Sequence, residues 1–300
     1  MREPDAAQLD VLAELLRRSG RLLVLTGAGC STASGIPDYR DVEGRWKHRA
    51  PVLFRDFVGD AAIRRRYWAR SLIGWRHLSR AEPNAAHLAL ARLESLGFVE
   101  ALLTQNVDGL HGRAGSRRVI ELHGRLSEVV CLHCRSRFAR TAIQQRLHLL
   151  NPDWVGLGAD PGPDGDAGLD GRGFESFRVP DCAACGGVLK PHVVFFGEQV
   201  PKTRVELAFR ALRQAGALLV VGSSLMVQSG YRFVREARQT GIPVAAVNIG
   251  RTRADELFTL KVAAACDAVL PALAALLANR PARGDATSVT GTTAPGPASR

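Results

Sequence analysis

Four cysteines give this sequence its most specific chemical signal. They stand in two C-x-x-C pairs, Cys131 with Cys134 and Cys182 with Cys185. Each pair presents two thiolates to one ion at about 2.3 Å, so the four together complete a tetrahedral zinc site. No coordination position is left open, and we therefore expect one structural Zn²⁺ per chain rather than a hydrolytic metal. Two disulfides are the alternative, which a reducing compartment disfavours.

A second signal is the glycine-rich segment LLVLTGAGCSTASGIPDYRD, residues 22–41, which begins as an apolar strand. Bare amide groups after a strand attract phosphate, because no side chain blocks the approach of the anion. The dinucleotide fingerprint is incomplete, since Gly27 and Gly29 match but Thr32 occupies the third glycine position. We therefore expect an anion-binding turn and not a hydride-transfer dehydrogenase. A tight turn without a ligand is the alternative.

Polar or small residues end three further apolar runs. These are TQNVDGLH at 104–111, VVGSSLMV at 220–227 and VNIGRT at 247–252. Each one alone is typical of a turn. Because the carboxyl ends of parallel strands line the ligand crevice of an open sheet, the three ends and the glycine segment together predict a long ligand lying across the sheet edge.

The elements that position these residues follow from a regular alternation of apolar strands and helical patterns. Strands are predicted at 22–26, 98–106, 217–224 and 242–248, and helices at 5–19, 84–96, 203–215 and 229–240. Strands that are apolar throughout are covered on both faces, which indicates a parallel sheet. We predict an α/β fold: a doubly wound, Rossmann-like parallel sheet with an inserted small zinc-binding module.

The alternation breaks where the cysteine pairs lie, which suggests a domain boundary. We predict a Rossmann-like domain from residues 1–123 and 200–279, and the zinc-binding module from residues 124–199. Within the module, the stretch 156–173 is rich in glycine, aspartate and proline, and we predict a polar surface loop. Residues 280–300 have no apolar periodicity and are predicted to form a disordered tail.

Composition narrows the class of partner. The formal net charge is +11, but the arginines that carry it are scattered rather than clustered, so nucleic acid is not an expected partner. The best apolar run contains Asp267 and Pro271, and we expect no membrane span. Acidic residues near the N-terminus fit neither a secretion signal nor a transit peptide. We expect a cytoplasmic protein, and a monomer.

Seven segments then occur in an order and spacing that resemble one family. They are GAGCSTASGIPDYRD, TQNVD, ELHG, the paired C-x-x-C, KPHVVFFGE, VGSS and VNIG. This combination resembles the sirtuins, the NAD-dependent protein-lysine deacylases. Tyr39, the RYWAR segment at 66–70 and the long loop before Cys182 look like the class II, mitochondrial-type branch typified by sirtuin 4. The resemblance implies NAD as cofactor and acylated protein lysines as substrates, with nicotinamide, deacylated lysine and O-acyl-ADP-ribose as products.

The resemblance also implies roles for individual residues. His123 of ELHG would be the general base, and Asn106 and Asp108 would organise the nicotinamide pocket. Contacts to NAD would come from Gly27, Ala28, Gly29, Asp38, Tyr39, Arg40, Gln105, Asn106, Asp108, Gly222, Ser223, Ser224, Asn248, Ile249, Gly250 and Cys266. A neutral imidazole whose pKa lies near the working pH suits such a proton transfer.

Substrate contacts are implied around the KPHVVFFGE segment. Val194 and Phe196 match positions that line the acyl-lysine tunnel. The backbone of Phe196, Gly197 and Glu198 would add the substrate peptide as a strand. The Y-x-x-R spacing of Tyr67 and Arg70 raises the hypothesis of acidic acyl groups, because a guanidinium binds a carboxylate in bidentate fashion. A pair on the surface of a helix is the alternative.

Two other functions stay open at this point. One is a protein mono-ADP-ribosyltransferase, in which a protein nucleophile captures the ribosyl cation. The other is a non-catalytic module that binds NAD or acyl-lysine, which the presence of His123, Asn106 and Asp108 disfavours.

Overall fold

A computed structural model describes residues 5–47, 51–160, 162–163, 165, 167–169 and 173–279. The predicted tail at 280–300 lies outside the described residues, as does part of the predicted loop at 156–173. The helices are α1 (Ala6–Ser19), α2 (Phe54–Gly59), α3 (Ala61–Leu78), α4 (Ala85–Ser95), α5 (Leu110–Arg113), α6 (Arg140–Leu150), α7 (Lys202–Gln214), α8 (Gln228–Gln239) and α9 (Cys266–Ala278). The strands are β1 (Leu22–Thr26), β2 (Val99–Thr104), β3 (Val119–Glu121), β4 (Gly124–Cys131), β5 (Arg137–Ala139), β6 (Leu189–Val193), β7 (Ala217–Val221), β8 (Val244–Val247) and β9 (Leu260–Val262).

The larger sheet has six parallel strands in the order β3-β2-β1-β7-β8-β9. β1 is buried along its whole length. Its residues Leu22 and Val24 face one core with α1, α4 and α9, whereas Leu23 and Leu25 face a second core with α7 and α8. The predicted doubly wound sheet is therefore confirmed. The strand order reverses between β1 and β7, and ligands of open α/β sheets bind at such a point.

Local sequence explains where the helices of this domain begin and end. Asp5 caps α1 by accepting a hydrogen bond from the N–H of Ala7 at 3.0 Å, and Gly20 ends the helix with a φ of +71°. Asn84 caps α4 from its side chain. Caps of this kind satisfy backbone N–H groups that have no partner within the helix.

The smaller lobe is built around an antiparallel sheet with the order β5-β4-β6. Its core joins Val129 of β4 and Ile143 of α6 to Phe57 of α2 and Trp68 of α3. The buried guanidinium of Arg140 links α6 to α3, because its Nη2 donates to the backbone oxygen of Ser71 at 3.1 Å. The core of this lobe thus includes helices from the sequence range that we assigned to the larger domain.

The described part of the stretch 156–173 differs from the polar surface loop that we predicted. Ala167 is fully buried, and Leu157, Ala159 and Leu169 pack against the core of the smaller lobe. These few apolar residues anchor the stretch although glycine, aspartate and proline dominate its composition. Among the described residues, every helix falls short of the length or the apolarity that a membrane span requires.

Candidate active site

A cavity of about 1040 Å³ lies along the carboxyl edge of the larger sheet. Every residue that we predicted to contact the cofactor lines this cavity, and so does His123. Most of the predicted substrate residues line it as well, namely Val194, Phe196, Gly197, Glu198 and Tyr67. The fold thus brings together residues from six of the seven sequence segments; the paired cysteines lie elsewhere.

The loops that follow β1 and β7 contact each other through glycines. A Cβ atom on Gly27 would lie 2.8 Å from the Cβ of Ser223, and Gly222 has a φ of +57°. The N–H of Gly27 donates to the last residue of β7 at 3.1 Å, and the N–H of Gly29 donates to Gly222 at 2.9 Å. Our expectation that bare amides face an anion is wrong for these two N–H groups, because the neighbouring loop accepts their hydrogens. The glycines instead permit a close backbone approach that brings both loops to the cavity wall.

His123 lies at the cavity wall with both ring nitrogens in hydrogen bonds. Nδ1 is 2.9 Å from the backbone oxygen of Gln105, and Nε2 is 2.8 Å from Oγ of Ser229. A carbonyl oxygen only accepts, so Nδ1 carries the proton and Nε2 carries the lone pair that the serine hydroxyl meets. The pKa of His123 is lowered to about 4, chiefly because the imidazole is buried; the hydrogen bond to Gln105 opposes this shift, and the charges of Arg204 and Arg232 add to it. The imidazole is therefore neutral at pH 7 and has a basic nitrogen available.

A second polar network surrounds Asp108. The hydroxyl of Ser31 donates to Oδ2 of Asp108 at 2.8 Å, and Oδ1 accepts the backbone N–H of Leu110 at 2.9 Å. Nδ2 of Asn106 donates to the same serine oxygen at 3.0 Å and to the backbone oxygen of Gly27 at 3.1 Å. Each of these groups has a fixed orientation, so the network presents a shaped polar wall to a ligand.

Two serines of the site were missed by the sequence reasoning. Ser229 lies at the start of α8 and contacts His123 across 106 residues of sequence, and no local pattern identifies such a partner. Ser31 is part of the glycine segment, so its proximity to the sheet edge was predictable although its bond to Asp108 was not.

Aromatic residues cover one side of the cavity. Tyr39, Trp46 and Phe196 have ring centroids 5.7–6.3 Å apart in edge-to-face contacts. The guanidinium of Arg40 lies 4.0 Å from the centre of the Trp46 ring, and burial lowers the pKa of Arg40. The segment that contains Tyr39 is thereby held against the smaller lobe, beside the predicted ribose contacts.

Tyr67 and Arg70 have different environments. Tyr67 is buried at the cavity, with the rings of Phe57 and Phe195 at 5.4 and 5.1 Å. Arg70 is not among the lining residues in the described part of the chain, and its Nε donates to the backbone oxygen of Ala167 at 2.8 Å. The hypothesis that this pair recognises an acidic acyl group stays a prediction.

The four predicted zinc ligands come together in the smaller lobe. Sγ of Cys131 lies 3.5 Å from that of Cys185, and Sγ of Cys134 lies 3.7 Å from that of Cys182. The four sulfur atoms lie within 4.8 Å of one another, and none forms a disulfide. Four thiolates around one zinc ion at about 2.3 Å are about 3.8 Å apart. The donor set therefore fits a structural zinc ion.

Each cysteine pair forms the same turn. Arg135 and Gly186 directly follow the second cysteine of their pairs with φ values of +65° and +70°. Their N–H groups donate to the backbone oxygens of Cys131 and Cys182 at 3.1 and 2.8 Å. The left-handed residue turns the chain so that both thiols of a pair point to one centre.

The fold and the site define an α/β nucleotide-binding protein with a zinc-binding module and a neutral histidine at its cavity. Residues 27–229 match the model of the Sir2 family. The chain belongs to this family, as the sequence motifs predicted.

Similar proteins agree with this membership. The chain is 57% identical over 264 residues to an NAD-dependent protein deacetylase of Bordetella bronchiseptica, which covers 88% of this chain and 96% of that protein. It is 60% identical over 255 residues to one of Xanthomonas axonopodis pv. citri, covering 85% and 87%. The NAD-dependent protein lipoamidase sirtuin-4, mitochondrial, of Bos taurus is 46% identical over 270 residues, covering 89% and 86%. A solved complex described as Sir2-p53 peptide-NAD+ superposes with a TM-score of 0.71 at 29% identity, covering 90% of this chain and 97% of that one.

Proposed function

We propose that this protein is an NAD-dependent protein-lysine deacylase that transfers the acyl group to ADP-ribose and releases nicotinamide. The observation that carries the proposal is the neutral His123, whose Nε2 faces a hydroxyl at the wall of the predicted NAD cavity. The family membership and the names of the relatives support it.

Bound NAD would supply a labile glycosidic bond to nicotinamide, which leaves when the acyl oxygen of the substrate takes its place on the ribose. The residues of this chain orient the reactants and move a proton. Nε2 of His123, which now meets the Ser229 hydroxyl, would accept the proton of a ribose hydroxyl. Asp108, held by Ser31, accepts a hydrogen bond from the carboxamide of nicotinamide. Tyr39, Trp46 and Phe196 supply an apolar wall to the same cavity, and less water beside the polar groups strengthens their interactions.

The substrate peptide adds as an extended strand between the segment 196–198 and the loop around Met226. One backbone group of this surface is already occupied, because the oxygen of Phe196 accepts the N–H of Phe54 at 2.9 Å. Glu198 holds the segment in place, since its Oε2 accepts hydrogen bonds from Nζ of Lys190 and from the N–H of Phe195, each at 2.9 Å. The substrate therefore meets a rigid edge.

As the alternative to recognition of acidic acyl groups by Tyr67 and Arg70, we also propose that uncharged acyl groups, acetyl first among them, are preferred. The support is the packing of the Phe57 and Phe195 rings against Tyr67 and the hydrogen bond from Arg70 to Ala167. Acetyl-, lipoyl-, succinyl- and glutaryl-lysine peptides of one sequence should be compared by kcat/KM in wild type, Arg70→Ala and the exposed control Arg66→Ala. If wild type turns over the acidic peptides faster than the acetyl peptide, and Arg70→Ala but not Arg66→Ala abolishes this preference, the acidic-acyl hypothesis is established instead.

The main experiment incubates the protein with NAD and an acetyl-lysine peptide and follows the products by mass spectrometry. Equal amounts of nicotinamide, free lysine peptide and O-acetyl-ADP-ribose are expected. His123→Ala should lower the rate by about 10²–10⁴-fold, since it removes the general base, while the exposed control His77→Ala should keep it. ADP-ribose on protein without peptide turnover would establish the transferase alternative, and binding without any product would establish the binding module.

The cytoplasmic location, the monomeric state and the absence of a nucleic-acid partner are part of this proposal. A thiolate zinc site is typical of a reducing compartment, and the scattered arginines support the last point.

A further inference from the structure

A second cluster of metal-binding side chains lies behind the glycine segment, apart from the four-cysteine site. It consists of Cys30 in the short 3₁₀ turn Ala28–Cys30, His87 in α4 and His111 in α5. All three residues are buried, and one ligand atom from each lies within 4.8 Å of the other two. The proposed deacylation uses none of them.

Among the residues that the structure describes, His111 has a buried lone pair without a partner. Its Nε2 lies 2.9 Å from the hydroxyl of Thr26, and that hydroxyl donates to Thr104 at 2.8 Å. Thr26 therefore accepts from Nε2–H, which leaves the lone pair on Nδ1. Nδ1 is buried and has no hydrogen-bond partner in the described part of the chain. Because buried polar atoms nearly always have a hydrogen-bond partner, the lone nitrogen indicates that a ligand binds here.

His87 would have to change its tautomer in order to bind a cation at Nε2. Its Nδ1 accepts the backbone N–H of Asn84 at 3.3 Å, and its Nε2 lies 3.4 Å from the hydroxyl of Ser31. Binding of a cation at Nε2 moves the ring proton to Nδ1 and breaks the long bond from Asn84. This loss weakens binding relative to a site that is already in the required tautomer.

One thiolate and two imidazoles form a donor set for a zinc-type divalent cation. Tetrahedral zinc holds such atoms about 3.3–3.6 Å apart, so the ligand atoms of Cys30, His87 and His111, which lie within 4.8 Å of one another, need to approach by at most roughly 1.5 Å. The thiol of Cys30 releases its proton to solvent as the metal binds. A metal ion there also draws His87 away from Ser31, whose hydroxyl orients Asp108.

We propose that Cys30, His87 and His111 form a reversible site for Zn²⁺ whose occupation inhibits the enzyme. The inhibitory part rests on the proposed deacylase function, whereas the metal site itself does not. The consequence is that zinc acts on this protein twice, as a permanent structural ion and as a bound inhibitor.

The test counts metal ions and measures activity in the same samples. Protein that holds one zinc ion is dialysed against a Zn²⁺ buffer, and bound zinc is measured by elemental mass spectrometry. Wild type should bind a second equivalent, Cys30→Ala should not, and Cys266→Ala, which removes another buried cysteine, should still bind it. With Co²⁺ as the added ion, a thiolate charge-transfer band should appear in wild type and vanish in Cys30→Ala. Both variants are checked for folding by their urea midpoints.

A count of one in wild type, or a second equivalent that Cys30→Ala retains, would overturn the site. Nicotinamide release should fall at least tenfold as the second equivalent binds, and Cys30→Ala, relative to its own zinc-free rate, should keep its activity. A filled site without loss of activity would overturn the inhibitory role. A protein without any deacylase activity would contradict the proposed function, while the metal count would still decide the site.

Discussion

Acidification should destabilise this protein through His123. The pKa of His123 is about 4 in the folded chain, against an ordinary value of 6.5 in the unfolded chain. Since the unfolded chain binds the proton more readily, this contribution to stability is complete above about pH 6.5 and is lost as the pH falls toward 4. At pH 5 the linkage relation gives a loss of roughly 2 kcal/mol. The imidazole keeps some exposure at the cavity wall, so we expect about 1–2 kcal/mol.

The measurement compares urea unfolding of wild type and His123→Gln at pH 7 and pH 5 without NAD. The free energy of unfolding should fall by about 1–2 kcal/mol more in wild type, because glutamine does not titrate. Effects of acid on the zinc site and on other histidines are common to both proteins and cancel in the difference. The control His77→Gln, at an exposed position, should behave as wild type. Equal losses in wild type and His123→Gln would refute the argument that burial sets the charge of this imidazole.

Three further predictions follow from the described contacts. Removing zinc with a chelator, or making Cys131→Ser, should abolish hydrogen-exchange protection in β4 and β6 while the larger sheet stays protected; unchanged protection would exclude a structural zinc. Gly222→Ala should cost about 1–3 kcal/mol in urea unfolding, because its φ is +57° and a Cβ would overlap the backbone of Cys30. Gly241→Ala, at a φ of +76° in open space, should cost less, and equal costs would contradict the close-contact explanation. Asp108→Asn removes a charged acceptor, so nicotinamide release should fall by roughly 10–100-fold; full activity would refute its role.

The larger sheet was predictable because its signals are local. β1, β7 and β8 are uninterrupted apolar runs, and small or polar residues mark the point where each one ends. A parallel sheet brings those ends to one edge, so the cavity could be predicted without knowing any side-chain contact. The cysteine pairs are equally local, since two residues between thiols suffice to form each turn.

The rest depends on long-range packing that no local pattern encodes. The sequence analysis predicted no helix at α3, and no local pattern shows that Trp68 packs into the core of the smaller lobe. Ser229 and His123 meet only because α8 begins beside the end of β3. The polar composition of residues 156–173 does not predict that Ala167 is buried. Nor does the sequence show that Nδ1 of His111 has no hydrogen-bond partner among the described residues.

The position of β1 in the sheet has a consequence for synthesis on the ribosome. Leu22 pairs with Val99 on one side and with Ala217 on the other, so β1 cannot pair on both edges until most of the chain has been synthesised. Until then one edge of this largely apolar strand is without its neighbour. Such late closure makes the nascent chain slow to fold and prone to aggregate, and dependence on chaperones during translation is the expected result.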